Sequence, residues 1–260
     1  MPFPEDDVFA PLIAGPKEPR FGFSYRRVHF RKMSLPSGGT QDTIDAGVVS
    51  AGGSFGLWAH RQPAGCNGTQ VSLLAGVFSQ FNLDAPSNDL INSDFVVGTE
   101  ITTRRGSVSG RLRLYHQSSH LGDEFVLRNP SIVRTDFGFQ SVEGLLSYGR
   151  RRWRVYGGGG YLAFMTEGLA PWMLQGGAEL RRSDTGAGHL VPVAGIDISS
   201  LQARDWGTTT SASAGAEWTS AAGARRMRVL FVFLDGFIPF GQFSVRQELQ
   251  NAGLQLQIDF

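Results

Sequence analysis

No stretch of the 260 residues approaches the roughly 18 uninterrupted apolar residues that a membrane-crossing helix needs. Charge is scarce and nearly balanced: 18% of residues are charged, and 24 Lys plus Arg against 23 Asp plus Glu leave a net charge of +1. Together with the lack of a basic stripe interleaved with aromatics, this argues against a nucleic-acid partner. Cysteine occurs once, at Cys66, which excludes an internal disulfide. There is no repeat of fixed period and no low-complexity linker. The polar, Pro-rich start from Met1 to Asp7 lacks a charged-then-apolar export signal. It reads as a mature chain with an added Met, whose exported precursor carries a presequence upstream.

What is plentiful is glycine, at 34 residues, and phenylalanine, at 19. The carboxy-terminal stretch alternates strictly, with Leu254, Leu256, Ile258 and Phe260 apolar and Gln255, Gln257 and Asp259 polar, and it ends on an aromatic residue. A strand of that period sets one face in hydrocarbon and the other in a polar interior. Because every backbone group must be paired inside lipid, a membrane protein without apolar helices has to be a closed barrel.

Alternating segments recur at 20–32, 44–60, 69–82, 93–103, 107–120, 132–148, 153–165, 172–182, 190–201, 209–219, 226–235 and 243–260. They predict an all-β fold, a closed antiparallel transmembrane β-barrel of about twelve strands, an even number as bacterial barrels require. The connections fall into two kinds that alternate in phase. Those at 61–68, 104–106, 149–152, 181–188 and 220–225 are short or polar and mostly Arg-rich, whereas those at 33–42, 83–92, 121–131, 166–171, 202–208 and 236–242 are longer and carry Pro, Trp, Asn and Asp. The first kind reads as periplasmic turns and the second as extracellular loops, with both termini periplasmic. The expected organisation is a periplasmic amino-terminal extension over 1–19 and a barrel domain over 20–260, in the bacterial outer membrane.

Parity assigns Glu100, Arg111, Arg113, Arg134, Asp136, Gln175, Glu179, Arg181, Asp197 and Glu217 to the lumen, where crossed charges of both signs would occupy much of a modest bore. That argues against an open diffusion pore. The Gly157 to Gly160 run falls within a strand, not between strand and helix, so it makes room for bulky neighbours or bends the strand and does not bind phosphate. Trp172, Trp206, Phe237 and Phe240 read as interface anchors.

The segment Arg111 to Phe125 carries the residues with chemistry. With Val108, Gly110, Leu112 and Leu114 on the lipid face, parity places His116, Ser118 and His120 on that face too, near the extracellular end. An imidazole and a hydroxyl two residues apart on one strand face can come within hydrogen-bonding reach, so the imidazole can take the hydroxyl proton. Either His116 or His120 could serve as base, since Ser118 lies two residues from each. Facing lipid, the pair would meet an ester.

His116-Gln117-Ser118 resembles the His-x-Ser element of the outer-membrane phospholipase A barrels and, similarly, of the barrel lipid A deacylases. Those enzymes place a Ser nucleophile and a His base on the outer barrel face. The phospholipases continue with Asn and Gly where this chain has Ser119 and His120. The resemblance implies an acyl hydrolase acting on phospholipid or lipopolysaccharide. Ser118 would be the nucleophile, His116 the base, and a third group would orient the imidazole. A phospholipase-like Asn points to Asn129, and a deacylase-like Glu points to Glu124, ahead of Asp123. No cofactor is implied beyond a divalent ion, calcium (Ca2+), carried by the phospholipase resemblance, and such an enzyme could use a second copy of itself, as a homodimer, to complete its acyl pocket. Over its whole length the chain resembles a family of bacterial outer-membrane β-barrels known only as a domain of unknown function. The segments that suggest it are Phe9 to Ala14, Gly76 to Ser87, Tyr115 to Glu124, Tyr156 to Tyr161 and Asp235-Gly236-Phe237.

Other readings stay open at this point. His116, Ser118 and His120 could belong to the polar belt where a strand leaves the membrane. His116, His120, Asp123 and Glu124 could hold a divalent metal. Asp84, Asn88, Asp89, Asn92 and Asp94 form a turn whose oxygens could hold calcium. The barrel itself could be a non-enzymatic one that binds or transports a small ligand, or a structural one.

Overall fold

The computed structural model describes residues 1–4, 7–31, 43–61, 67–163, 170–181, 189–220 and 226–259. Cys66 and Phe260 lie outside the described residues. Twelve antiparallel strands close on themselves: β1 (Phe21–Phe30), β2 (Thr43–Arg61), β3 (Gly68–Asn82), β4 (Leu90–Arg105), β5 (Val108–Leu121), β6 (Phe137–Arg150), β7 (Trp153–Ala163), β8 (Trp172–Arg181), β9 (Leu190–Leu201), β10 (Thr208–Thr219), β11 (Arg226–Phe237) and β12 (Glu248–Asp259). Closure is made by β1 against β12, in a register that sets Phe21 opposite Ile258 and Phe30 opposite Leu249. Each strand runs to the neighbour next in sequence, so the short connections gather at the rim that holds both chain ends and the long ones gather at the other. We call these the turn rim and the loop rim.

Alternation dictates which side chains face out. Along β5, Arg111, Arg113, Gln117 and Ser119 are buried inside, whereas Leu112 and Leu114 are 49% and 55% exposed on the outer wall. Outer aromatics gather near both rims, as in the contacts of Tyr148 with Trp153 at the turn rim and of Tyr161, edge-on, with Trp172 at the loop rim. Such belts match the two interfaces of a bilayer.

The expected strand over 132–148 begins only at Phe137, and the one over 243–260 only at Glu248. Before β6 the chain forms helix α1 (Asp123–Arg128) and an extended loop held by side chains. Gln242 Oε1 accepts from Thr135 N at 3.1 Å, and its Nε2 donates to Val133 O at 3.0 Å. Arg134 accordingly lies at the surface, ion-paired with Asp123, and neither it nor Asp136 fills the lumen. Residues Gln242–Val245 make a 3-10 turn. Phe240, expected at the interface, is instead buried in the lumen against Phe78, while Trp172 and Trp206 stand exposed.

The interior is largely filled by the chain's own first residues. Residues 1–4 lie along the free edge of β2, where Met1 N donates to Ala59 O at 2.8 Å and Phe3 packs on Phe55. The chain then turns inward, and the stretch expected as an extension outside the barrel packs within it. Pro11, Pro16 and Pro19 deny this segment a strand's donors. Its backbone is satisfied by lumenal side chains instead. Ile13 N donates to Glu179 Oε1 at 2.7 Å, and Arg154 Nη1 donates to Ala10 O at 2.7 Å. Phe9 and Leu12 pack on Leu145 and Tyr156, and Ile13 packs on Val193, Leu230 and Val232. Glu18 meets Arg111 at 2.7 Å and Arg113 at 2.8 Å, and Arg113 also holds Glu100 at 2.5 Å. From the loop rim, Phe125 of α1 with Ile238 and Phe240 closes the lumen from the other side. The predicted crossed charges are present at Glu100, Arg111, Arg113, Glu179, Arg181 and Glu217, and they clamp an inner segment as well as one another.

Candidate active site on the outer face

Near the loop rim, β4, β5 and β6 present an outward row whose register sets every neighbour. Phe95 of β4 and Gly138 of β6 flank Ser118, and Val97 and Gln140 flank His116. Below this row the outer wall is apolar, with Leu112, Leu114, Val142 and Leu146 exposed. The pair therefore sits at the upper margin of the hydrocarbon-facing surface.

His116 Nδ1 lies 3.3 Å from Gln140 Nε2. A primary amide can present either of its atoms to a ring nitrogen. With the oxygen turned to the ring, Nδ1 carries the proton and Nε2 is left as the free acceptor, which is the form a general base requires. His120 instead sets its ring edge-on to Phe95, with centroids 5.8 Å apart. Among the described residues no hydrogen bond joins Ser118 to either imidazole. Residues two apart on a strand are separated by about 6.8 Å at the backbone, so approach is set by the side-chain rotamers.

Gly138 opposite Ser118 keeps the outer surface open there. A Cβ at that position would come within 3.3 Å of Gln117 O and 3.7 Å of His116 Cε1. Behind the row, the inner face of β5 is anchored. Ser119 Oγ donates to Asp94 Oδ1 at 2.5 Å, and Lys17 Nζ of the inner segment donates to Asp94 Oδ2 at 2.6 Å and to Gln117 Oε1 at 2.5 Å. Gly241 N also donates to Asp94 Oδ2 at 3.1 Å. Fully buried, the Asp94 carboxylate thus ties the strand bearing Ser118 to the inner segment and to a loop.

The two residues expected to orient the imidazole lie elsewhere. Asn129 is buried at the end of α1, where its Nδ2 donates to Phe125 O at 2.7 Å. Glu124 is exposed in the first turn of α1. The group that touches His116 is Gln140, and a signal for it was present. It is a polar outward residue on a strand whose next outward positions include Val142 and Leu146. The metal alternatives do not assemble either. Among the described residues, no three His, Cys, Asp or Glu side chains converge as a metal would require. The acidic turn is dispersed, with Asp89 paired to Arg128 at 2.6 Å and Asp94 to Lys17.

Solved structures share this architecture. Outer membrane phospholipase A from Escherichia coli is 10% identical with a TM-score of 0.61, over 98% of this chain and 95% of that one. An active-site variant of the same enzyme, with an asparagine changed to alanine, is 12% identical with a TM-score of 0.60 over the same shares. The dimeric outer membrane phospholipase of Salmonella typhi with bound calcium is 11% identical with a TM-score of 0.58, over 93% of this chain and 91% of that one. At these identities the likeness shows the fold, that of outer-membrane β-barrels. No curated protein matches the sequence. Residues 1–260 match the family described as "Protein of unknown function (DUF1207)", and the chain belongs to that family.

Proposed function

We propose that this barrel, seated in the bacterial outer membrane with both termini periplasmic, hydrolyses acyl esters of the surrounding lipid. The observation that carries the reading is the outward, hydrocarbon-margin placement of Ser118 and His116 with Gln140 against the far side of the imidazole. It gains support from an active-site asparagine in a fold neighbour, a carboxamide as Gln140 is here. In the proposed reaction Ser118 Oγ attacks the ester carbonyl carbon while His116 Nε2 takes the hydroxyl proton. Collapse breaks the bond to the alcohol oxygen, which leaves with that proton, and the acyl group stays on Ser118. Water then attacks the acyl-serine, giving its proton to His116, and the carboxylic acid departs as Ser118 is reprotonated. Gln140 holds the tautomer throughout, and His120, turned against Phe95, is the less suited base.

One fold neighbour is a dimer with bound calcium. Within one copy of this chain the described residues do not fit a calcium cage, so no step passes through a metal, and self-association is a condition to vary. The test is acyl release by the purified full chain from phospholipid vesicles and from lipid A, with and without calcium. Release by the native barrel that vanishes in Ser118→Ala, with that variant still folded by heat-modifiable gel mobility, supports the reading. A folded native barrel that cleaves neither lipid under either condition refutes it.

A further inference from the structure

Above the inner segment, a cavity of about 130 Å³ remains between Gly15 to Pro19 and the loop rim. Its upper walls are apolar, with Phe137, Phe139, Leu162 and Met173 contributing, and Arg204 forms part of its roof. Arg204 is only 8% exposed. Its Nη1 donates to Thr209 Oγ1 at 3.0 Å and its Nη2 to Ile238 O at 3.4 Å, while its Nε is buried with no partner among the described residues. The guanidinium carbon stands 5.1 Å from the centre of the Phe237 ring. Among the described residues no carboxylate is paired with it, whereas Arg111, Arg113, Arg154, Arg181 and Arg228 each hold one. Arg26 also lacks a carboxylate, but it borders cavities of only about 40 and 20 Å³. Among the described residues it is Arg204 that combines a missing anion with room for a ligand.

The backbone is bent to put it there. Asp205 and Trp206, which follow it, have φ of +50° and +62°, in the left-handed region that non-glycine residues avoid. Burial without a counter-charge pulls the Arg204 pKa down to about 10. A guanidinium so placed has N–H groups to spare for a planar anion. At the deeper end Glu143 and Asp197 face the same cavity, held by neutral donors: Tyr115 and Ser141 for Glu143, and Tyr156 at 2.7 Å and Gln175 at 2.9 Å for Asp197. Lys17, Arg111 and Arg113 line that end too, but each is already paired with a carboxylate, so among the described residues a second negative group finds no free cation there.

We propose that the lumen holds a binding site for a small monocarboxylate with an apolar body, its carboxylate on Arg204 and its ring or short acyl chain among Phe137, Phe139, Leu162 and Met173. An apolar cavity of about 150 Å³ accepts a benzene ring, so about 130 Å³ limits the apolar body to a single ring or a short acyl chain. The site is separate from the outer-face row and does not rest on the hydrolase reading. Benzoate is the probe, titrated calorimetrically into the full chain in nonionic detergent, with benzyl alcohol as its uncharged counterpart. The expected result is one benzoate per barrel, bound at least tenfold more tightly than benzyl alcohol, with Arg204→Gln abolishing that preference. Val245→Phe narrows the cavity while leaving Arg204 in place, so it loses benzoate even if Arg204→Gln does not fold. No saturable benzoate binding to the native barrel, equal affinity for the alcohol, or binding untouched by Val245→Phe would overturn the proposal.

Discussion

Replacing Glu18 by Gln tests whether the inner segment is clamped by charge. In the native lumen two guanidiniums, Arg111 and Arg113, share two carboxylates, Glu18 and Glu100, and all four side chains are less than a tenth exposed. Neutralising Glu18 leaves Arg111 3.9 Å from Glu100, whose Oε2 is already engaged by Arg113 at 2.5 Å. One buried positive charge is then uncompensated, and breaking a buried pair in this way costs about 3 to 5 kcal/mol. Lumenal water would relieve part of it, so the lower end, about 3 kcal/mol, is the expected loss in reversible urea unfolding of the barrel in lipid or detergent. The pair should also be non-additive. Adding Arg111→Gln to Glu18→Gln removes the orphan charge, and the double variant should recover at least half of the single variant's loss. In planar bilayers the same single variant should conduct more often than the native chain, whose lumen is filled. A Glu18→Gln barrel within about 0.5 kcal/mol of native, with native conductance, would refute the clamp.

Two further outcomes follow from the outer row and the lower lumen. If Gln140 fixes the His116 tautomer, Gln140→Ala should lower kcat for acyl release by roughly tenfold or more, about 1.4 kcal/mol of barrier. KM should change little, and Gln140→Asn should retain more activity than Ala; equal kcat in all three would remove Gln140 from the mechanism. Burial first, with Glu100 next, pushes the Asp7 carboxyl up from 3.8 to about 6. A raised acid pKa means the folded chain holds the proton more tightly, so this contribution is present below pH 3.8 and is lost as pH rises through 6. Raising the carboxyl from 3.8 to about 6 corresponds to about 3 kcal/mol. Asp7→Asn should therefore be more stable than native at about pH 7.5, with the difference vanishing near about pH 3.5, and a difference independent of pH would contradict the burial of Asp7.

Much of the barrel was legible because the membrane imposes a period of two on every strand, and short and long connections mark the two rims. The misplaced starts of β6 and β12 have a physical cause. Alternation continues through Ile132 to Asp136, but there Gln242 supplies the hydrogen bonds that a neighbouring strand would. At Phe243 and Val245 apolar side chains turn inward on a 3-10 turn. Parity also placed His116, Ser118 and His120 on the outer face. Gln140 was not found because which residue of β6 meets His116 depends on the cross-strand register. That register depends on where β6 begins, and proximity in sequence favoured Asn129. The inner segment was unreadable for a different reason. Its apolar stretch from Phe9 to Ala14 shows no strand period, and nothing local distinguishes burial in a lumen from an external tail.

The seating of that segment bears on assembly. Its partners are far away in the chain: Glu18 meets residues 93 and 95 positions on, Ile13 one 166 on, and Arg20 one 237 on, at Gln257 of the last strand. Contacts of such sequence separation form late, since the loop entropy must be met before they contribute. Until β12 has docked on β1 the receptor for Arg20 does not exist. A barrel that stalls with its last strand missing therefore leaves Arg20 without Gln257 and Arg228 without Asp259, and the end of the inner segment is unanchored. Accessibility of the amino terminus to protease then reports whether the last strand has closed the wall.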